Sequence, residues 1–296
     1  MSTDNLNDKL KERLTRNEIL VLPGVANALG ARIVEEVGFE AVYVSGAGIA
    51  NMHLGAPDIG LITLTEVADH VAAIRDAVDL PMIVDIDTGY GNALNVARAI
   101  KVLERSGANA VQMEDQVTPK RCGHFSGKEV ISREEMIQKV RAAVEARRDN
   151  AFTIIARTDA RATLGFEEAL ERAAGYAEAG ADVTFVEAPQ SVEELATIPK
   201  ALPGPQVVNI VEGGRTPALS VQELNEMGFA IALYANISLQ GAIRGMQNTL
   251  SHLYERGSIA DLPDDMLARW EERQRIVRKP HFDELEKRYA AEKQLR

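Results

Sequence analysis

The sequence predicts an α/β protein built as a closed (β/α)8 TIM-type barrel with extra C-terminal helices. Three observations carry that expectation. Eight short, nearly continuously apolar and β-branched runs lie between positions 19 and 234. Such runs suit parallel strands buried on both faces. Stretches of helical period separate them, and strand–helix repetition implies parallel pairing. Glycines close several of those stretches, and eight repeats favour a closed barrel over an open doubly wound sheet.

Taken in order, residues 7–16 read as a short amphipathic helix with Asn7 as its N-cap. The strand candidates are 19–22, 41–44, 82–86, 110–113, 152–156, 183–186, 207–211 and 230–234. Helix candidates include 26–37, 64–77, 93–106, 133–146 and 166–179, with Gly38, Gly107, Gly180 and Gly228 as stops. After the eighth strand, 238–256 should complete the barrel. Residues 262–277 and 282–290 then carry Met266, Leu267, Trp270, Ile276, Val277, Phe282, Leu285 and Tyr289 at roughly helical spacing, with Pro280 breaking them apart. This divides the chain into a catalytic barrel, 1–257, and a helical extension, 258–296, whose apolar face needs a partner.

Composition narrows the function. The formal net charge of −11 argues against nucleic acid, which needs a basic face. It leaves room for an anionic substrate, because a local metal or Arg can reverse the field inside a cleft. A single cysteine excludes an internal disulfide and fits a reducing compartment. No run is apolar enough for a membrane span, and residues 1–14 lack the core of a secretory signal. A soluble cytoplasmic protein is expected.

A barrel places its active site at the C-terminal ends of its strands. The polar residues there are Ser45, Asp85, Asp87, Glu114, Asp115, Arg157, Asp159, Glu187, Asn209 and Asn236. Singly, Ser45, Asp159 and Asn236 read as helix caps or loop hydrogen bonds. Together, several acids and one Arg around a common mouth are costly unless a cation neutralises them. In Asp85-Ile86-Asp87, strand alternation would set both carboxylates on one side. Mg²⁺ resolves their repulsion with oxygen ligands and retained waters, and Glu114 and Asp58 strengthen that reading. The run 114–128 holds the lone Cys122 among Lys120, Arg121, His124 and Lys128. Nearby cations favour a thiolate that exchanges protons near neutral pH, whereas the plainer reading is a solvated charged loop. Ser45-Gly46-Ala47-Gly48 suits a small anion nest or a tight turn. Gly213-Gly214-Arg215-Thr216-Pro217 suits an anion loop or a plain one. Gly89-Tyr90-Gly91 lacks the spacing of a nucleotide fingerprint.

At these residues the chain resembles the isocitrate lyase/phosphoenolpyruvate mutase superfamily. The likeness runs through Tyr43-Val44-Ser45-Gly46, Pro57-Asp58, Asp85-Ile86-Asp87-Thr88-Gly89-Tyr90-Gly91, Glu114-Asp115-Gln116, Lys120-Arg121-Cys122-Gly123-His124, Ala156-Arg157-Thr158-Asp159 and Val186-Glu187-Ala188. The Lys-Arg-Cys-Gly-His run marks the lyase branch, which cleaves a C–C bond in 2-hydroxy acids; phosphonomutases carry an Asn-Ser type loop there. The resemblance implies a Mg²⁺ site, for which Mn²⁺ can substitute, with Asp85 binding directly or through water and Asp58, Asp87 and Glu114 in the water shell. It implies Cys122, Tyr43, Arg157, Glu187 and His124 as catalytic, Tyr43 as base and Cys122 as acid. Substrate contacts would come from Ser45, Gly46, Ala47, Gly123, Asn209 and Arg157. It also implies a homotetramer that exchanges a C-terminal helix between neighbours. Phe125-Ser126-Gly127 replaces the Arg-Pro-Asn type run of methylisocitrate lyases, and 211–214 and 234–236 also depart from their pattern. Those departures favour a dicarboxylate such as 2,3-dimethylmalate over a tricarboxylate. Alternatives are oxaloacetate hydrolysis or decarboxylation, phosphonomutase chemistry, and a silent barrel that only binds carboxylates.

If four carboxylates serve one hard cation, removing that cation should stop the chemistry. EDTA is expected to abolish turnover of a 2-hydroxy acid, and Mg²⁺ or Mn²⁺ to restore it, in an α-keto acid release assay. Full activity after chelation would remove the metal from the reaction.

Overall fold

Eight parallel strands close on themselves in chain order, each hydrogen-bonded to the next and the eighth to the first. In this computed structural model, which describes residues 3–121 and 127–290, they are β1 Leu20–Val25, β2 Val42–Val44, β3 Met82–Asp85, β4 Ala110–Glu114, β5 Thr153–Thr158, β6 Val183–Val186, β7 Gln206–Asn209 and β8 Ile231–Tyr234. The helices are α1 Thr3–Leu14, α2 Ala28–Val37, α3 Gly46–Ile49, α4 Leu64–Ala77, α5 Ala93–Ser106, α6 Arg133–Ala146, α7 Phe166–Glu178, α8 Val192–Ala201, α9 Val221–Met227, α10 Ile237–Arg256, α11 Trp270–Ile276 and α12 Lys279–Tyr289. A π-helical turn, Ala50–Leu54, follows α3. Helices 64–77, 93–106 and 133–146 have the bounds read from the sequence.

Alternation along the strands sorts the core into two shells. Leu20, Leu22, Ala41, Tyr43, Ile83, Ala110, Ile155, Val183, Phe185, Val207, Ile231 and Leu233 fill the barrel, with Leu10 of α1 packed among them. Their neighbours one residue away, such as Val42, Val44, Met82, Val84, Val111, Met113, Ile154 and Ala156, pack outward against the helices. This two-sided burial is why the strands read as continuous apolar runs. Gly38, Gly107 and Gly228 end α2, α5 and α9 in the left-handed conformation that a Cβ disfavours.

Three local expectations need correction. Asn7 is not an N-cap but lies inside α1, fully buried. Its amide donates to Asp149 Oδ2 at 2.7 Å and accepts from Asn109 Nδ2 at 2.7 Å. Asn109 in turn accepts from the Met82 amide at 2.9 Å, tying α1 to the start of the barrel. In the tail, residues 262–269 are turns rather than helix, and Asp264-Asp265 follows Pro263 in a polar, turn-forming run. Pro280 does not break the two segments; it occupies the first turn of α12, where a missing N–H costs nothing, and the break falls at left-handed Arg278.

The chain separates into two compact units after Leu239, early in α10, whereas the sequence reading set the boundary at the end of that helix. Within the first unit, α2, α4, α5, α6, α7, α8 and α9 pack side by side in that order. On α2, Leu29, Ile33 and Val37 are exposed at four-residue spacing, an apolar stripe along one face. In the second unit, Trp270, Phe282 and Tyr289 are exposed. Among the described residues no helix is long and apolar enough to cross a membrane.

Candidate active site

The site is the top layer of the barrel interior. Counting upward by two from core residues gives Ser45 after Tyr43, Asp85 after Ile83, Glu114 after Gln112, Arg157 after Ile155, Glu187 after Phe185 and Asn209 after Val207. The same alternation that packs the core therefore aims these polar groups at one mouth. Tyr43, Ser45, Ala47, Asp58, Asp85, Glu114, Arg157, Glu187 and Asn209 line one cavity of about 40 Å³, room for only a few waters. Lys120 and Asn236 line it too. A larger cavity, about 550 Å³, lies at the opposite end beside α1. It brings together Lys11, Arg16, Asp182 and Asn225 but no group of carboxylates.

Asp87 reaches the site differently from the expected strand alternation. β3 ends at Asp85, and Asp87 sits beyond it in the left-handed region at φ 49°. Its amide donates to Asp85 Oδ1 at 3.2 Å. The two carboxylates still converge, on Gly46: a methyl group there would come within 3.1 Å of Asp85 Oδ2 and 3.3 Å of Asp87 Oδ1. Glycine at this position is a matter of room for the acids.

Lys120 is the residue that sequence reasoning passed over. It is buried, and its ammonium pairs with Asp58 and, at 2.9 Å, with Asp87. Burial disfavours its charge, but Asp87, Glu114, Asp85 and Asp58 hold its pKa well above the ordinary lysine value. Burial also lifts Asp87, against the pull of Lys120 and with help from Asp85, to about 6. The signal was present in the sequence, because Lys120 opens the Lys-Arg-Cys-Gly-His run.

Arg157 forms the second charged centre. Its Nε donates to Asp159 Oδ2 at 2.9 Å and its Nη2 to Asp159 Oδ1 at 3.1 Å. Glu114 lies 3.3 Å from Nε, and Glu187 3.8 Å from Nη2. The guanidinium carbon stands 5.3 Å from the centre of the Phe185 ring. Asp159 is therefore neither a cap nor a loop acid but a buried partner, and Lys128 Nζ reaches its Oδ1 at 2.6 Å. Burial would raise the Asp159 pKa; Arg157 and Lys128 hold it down to about 2. Burial pushes Glu114 well up, with Arg157 opposing, and among the described residues its buried Oε1 has no hydrogen-bond partner.

Two expected roles change character in this geometry. Burial and the charge of Asp85 push the Tyr43 phenol well above its ordinary range, so it stands as a protonated donor rather than a ready base. The amides of Ser45 and Gly46, expected to hold a substrate carboxylate, bond instead to Val25 O at 3.0 Å and Asp85 Oδ2 at 3.3 Å. Ser45 also caps α3, its hydroxyl accepting from Gly48 N at 3.1 Å. Cys122, Gly123 and His124 lie outside the described residues, as does most of the run that distinguishes the chain from methylisocitrate lyases.

The donor set fits a hard divalent cation. Asp58, Asp85, Asp87 and Glu114 offer only oxygen, and the Glu114 oxygen without a partner is a buried acceptor that needs one. Among the described residues no three acids, His or Cys form a ready cage. Mg²⁺ does not require one, since it keeps several waters and binds through one or two carboxylates plus substrate.

Comparison with known proteins agrees with this arrangement. The phosphoenolpyruvate phosphomutase family profile matches residues 10–254. The chain is 44% identical to 2,3-dimethylmalate lyase of Eubacterium barkeri over 259 residues, 88% of this chain and 90% of that protein. It is also 44% identical to 2-methylisocitrate lyase of Aeropyrum pernix over 262 residues, 88% of this chain and 84% of that one. The solved structure of oxaloacetate acetylhydrolase with 3,3-difluorooxalacetate superposes with a TM-score of 0.91 at 36% identity, covering 96% of this chain and 97% of that one. Phosphonopyruvate hydrolase complexed with oxalate and Mg²⁺ superposes with a TM-score of 0.87 at 28% identity, covering 98% and 99%.

The titration of Asp87 gives a test. Cation binding needs the carboxylate, so affinity for Mg²⁺ should fall as pH drops through about 6. Because the fold holds this proton more tightly than the unfolded chain, the metal-free protein should lose stability as pH rises from 3.8 towards about 6. Calorimetric titration of Mg²⁺ at about pH 5 and about pH 7.5 should show at least a ~10-fold difference in Kd. A pH-independent Kd would separate Asp87 from the cation.

Proposed function

Because the chain belongs to the isocitrate lyase/phosphoenolpyruvate mutase superfamily, we propose that it is a carbon–carbon lyase. Its substrate is a 2-hydroxy di- or tricarboxylate of the 2,3-dimethylmalate or 2-methylisocitrate type, and its products are an α-keto acid such as pyruvate and a carboxylic acid. The observation that supports this best is the meeting, in one cavity, of a single guanidinium with the carboxylates that suit a hard cation. A substrate with a carboxylate beside a hydroxyl needs both.

Arg157 holds a substrate carboxylate by charge-assisted hydrogen bonds. Asp85 would hold the cation directly or through water, with Asp58, Asp87 and Glu114 reaching it through water. When bound, Mg²⁺ or Mn²⁺ supplies Lewis acidity that lowers the pKa of the substrate hydroxyl. Tyr43 starts as a protonated phenol, so it takes the hydroxyl proton as it gives its own to Glu187, which lines the same cavity. As that proton leaves, the oxygen's electron pair forms the keto group. The C–C pair then moves to the carbon beside the second carboxylate, as a carbanion. Cys122 gives that carbon its thiol proton, and Gly123 and His124 follow it in the same run. Asn209 lines the cavity, and among the described residues its buried Oδ1 has no hydrogen-bond partner, which suits a donor from substrate or a water.

The likeness to oxaloacetate acetylhydrolase supports a second reading, oxaloacetate cleavage in the same site. Products divide the two. Incubation with 2-hydroxy di- and tricarboxylates and Mg²⁺ should release an α-keto acid, whereas oxalate plus acetate from oxaloacetate would favour the second reading. Phosphonomutase chemistry is disfavoured by Cys122 and His124. Replacing the thiol, Cys122→Ser, should lower kcat by ~10²–10⁴ with product binding retained. A wild-type rate would make the thiol incidental.

The protein acts in the cytoplasm as a homotetramer that exchanges C-terminal helices. Support for the exchange comes from the exposed apolar stripe Leu29, Ile33 and Val37 on α2 and the exposed Trp270, Phe282 and Tyr289 of the second unit. Light scattering at micromolar concentration should report four chains; a mass of one chain would remove the exchange.

A further inference from the structure

Arg157 is an unusual binding group, because one of its edges is already taken. Asp159 occupies the Nε and Nη2 edge with two bonds, at 2.9 and 3.1 Å. The guanidinium carbon lies over the Phe185 ring, 5.3 Å from its centre. Among the described residues Nη1 has no hydrogen-bond partner. The Arg157 side chain is 10% exposed, whereas Asp159 is 0% and Lys128 2% exposed. So the access that remains to the guanidinium is not through Asp159.

Lys128 explains how this is sustained. Three carboxylates, Glu114, Asp159 and Glu187, stand within 3.8 Å of Arg157. A lone cation so surrounded would be over-neutralised and would attract an anion poorly. Lys128 shares Asp159 Oδ1 with Arg157 Nη2, so Asp159 divides its charge between two cations. We infer that Lys128 and Asp159 are a positioning pair: Asp159 fixes the plane of the Arg157 guanidinium and closes its Nε edge, and Lys128 offsets one of the three carboxylates gathered around it, so that a substrate carboxylate is taken end-on at Nη1. Neither residue touches the reacting atoms; both act through Arg157. The inference rests on the proposed role of Arg157 as the carboxylate holder.

Oxalate, a small dicarboxylate, tests the pair without requiring turnover. The measurement is its Kd in Mg²⁺ by calorimetry, beside the melting temperature, for the full chain and three variants. Asp159→Asn keeps the shape but weakens the fork and should raise the oxalate Kd by ~10–100-fold, the range for outer partners of a functional group. Lys128→Met should do likewise, and Lys128→Arg should restore affinity to within a few-fold. The Lys128→Met/Asp159→Asn double variant should lose no more than the worse single one, because both act through one group. In any lyase assay KM should rise more than kcat falls. Loss of melting temperature with an unchanged oxalate Kd in Asp159→Asn would overturn the pair, as would failure of the wild type to bind oxalate. Where Lys128→Met does not fold, the Asp159→Asn and Lys128→Arg affinities decide alone. Oxalate binding that follows this pattern in a protein inactive on every 2-hydroxy acid would sustain the pair and remove the lyase reading.

Discussion

Buried like charge is the constraint under which the open end of this barrel is built. Glu114, Asp115, Asp159 and Glu187 are all nearly inaccessible to water, and an unpaired buried carboxylate costs several kcal/mol. Strand alternation divides the load. Glu114 points into the barrel towards Arg157, while Asp115, one residue on, faces the helices. There it accepts from the Thr158 hydroxyl at 2.7 Å, the Asp159 amide at 2.8 Å, Tyr176 OH at 2.8 Å and Arg172 at 3.1 Å. One dipeptide thus serves two cations, one that lines the cavity and one that fastens the strand ends to α7.

That division explains the rigidity of the mouth. Asp115 holds the backbone of Asp159, Asp159 holds the fork of Arg157, and Lys128 holds Asp159 from the far side of the loop. The chain of bonds runs from helix to strand to binding group without passing through solvent. Buried networks of this kind set geometry strongly when every member is satisfied. The Glu114 and Asn209 oxygens left without partners lie at the cavity, where a ligand or water is needed.

Much of this was legible in the sequence, for a definite reason. Strands buried on both faces and stretches of helical period are local patterns, so the closed barrel came out, and three helices came out with correct bounds. Acids at strand ends follow from the same pattern, and most candidate residues line one cavity. The missed partners were cations. Lys120 pairs with Asp58 across 62 positions and Lys128 with Asp159 across 31, and a lysine in a polar loop reads as solvated until its partner is known. Asn7 failed likewise, since its partners are 102 and 142 positions away. Asp87 was misplaced because strand alternation was carried beyond Asp85, where β3 ends, to a residue whose backbone is left-handed.

Lys120 has a consequence for how the protein comes into being. Its ammonium already stands between Asp58 and Asp87, so these acids are compensated by a charge that is covalently part of the chain. The barrel therefore need not await a scavenged ion to fold, unlike small domains whose folding free energy is metal binding itself. A cation arriving later would share these acids with a charge already in place, so occupancy of the site and integrity of the fold become separate matters.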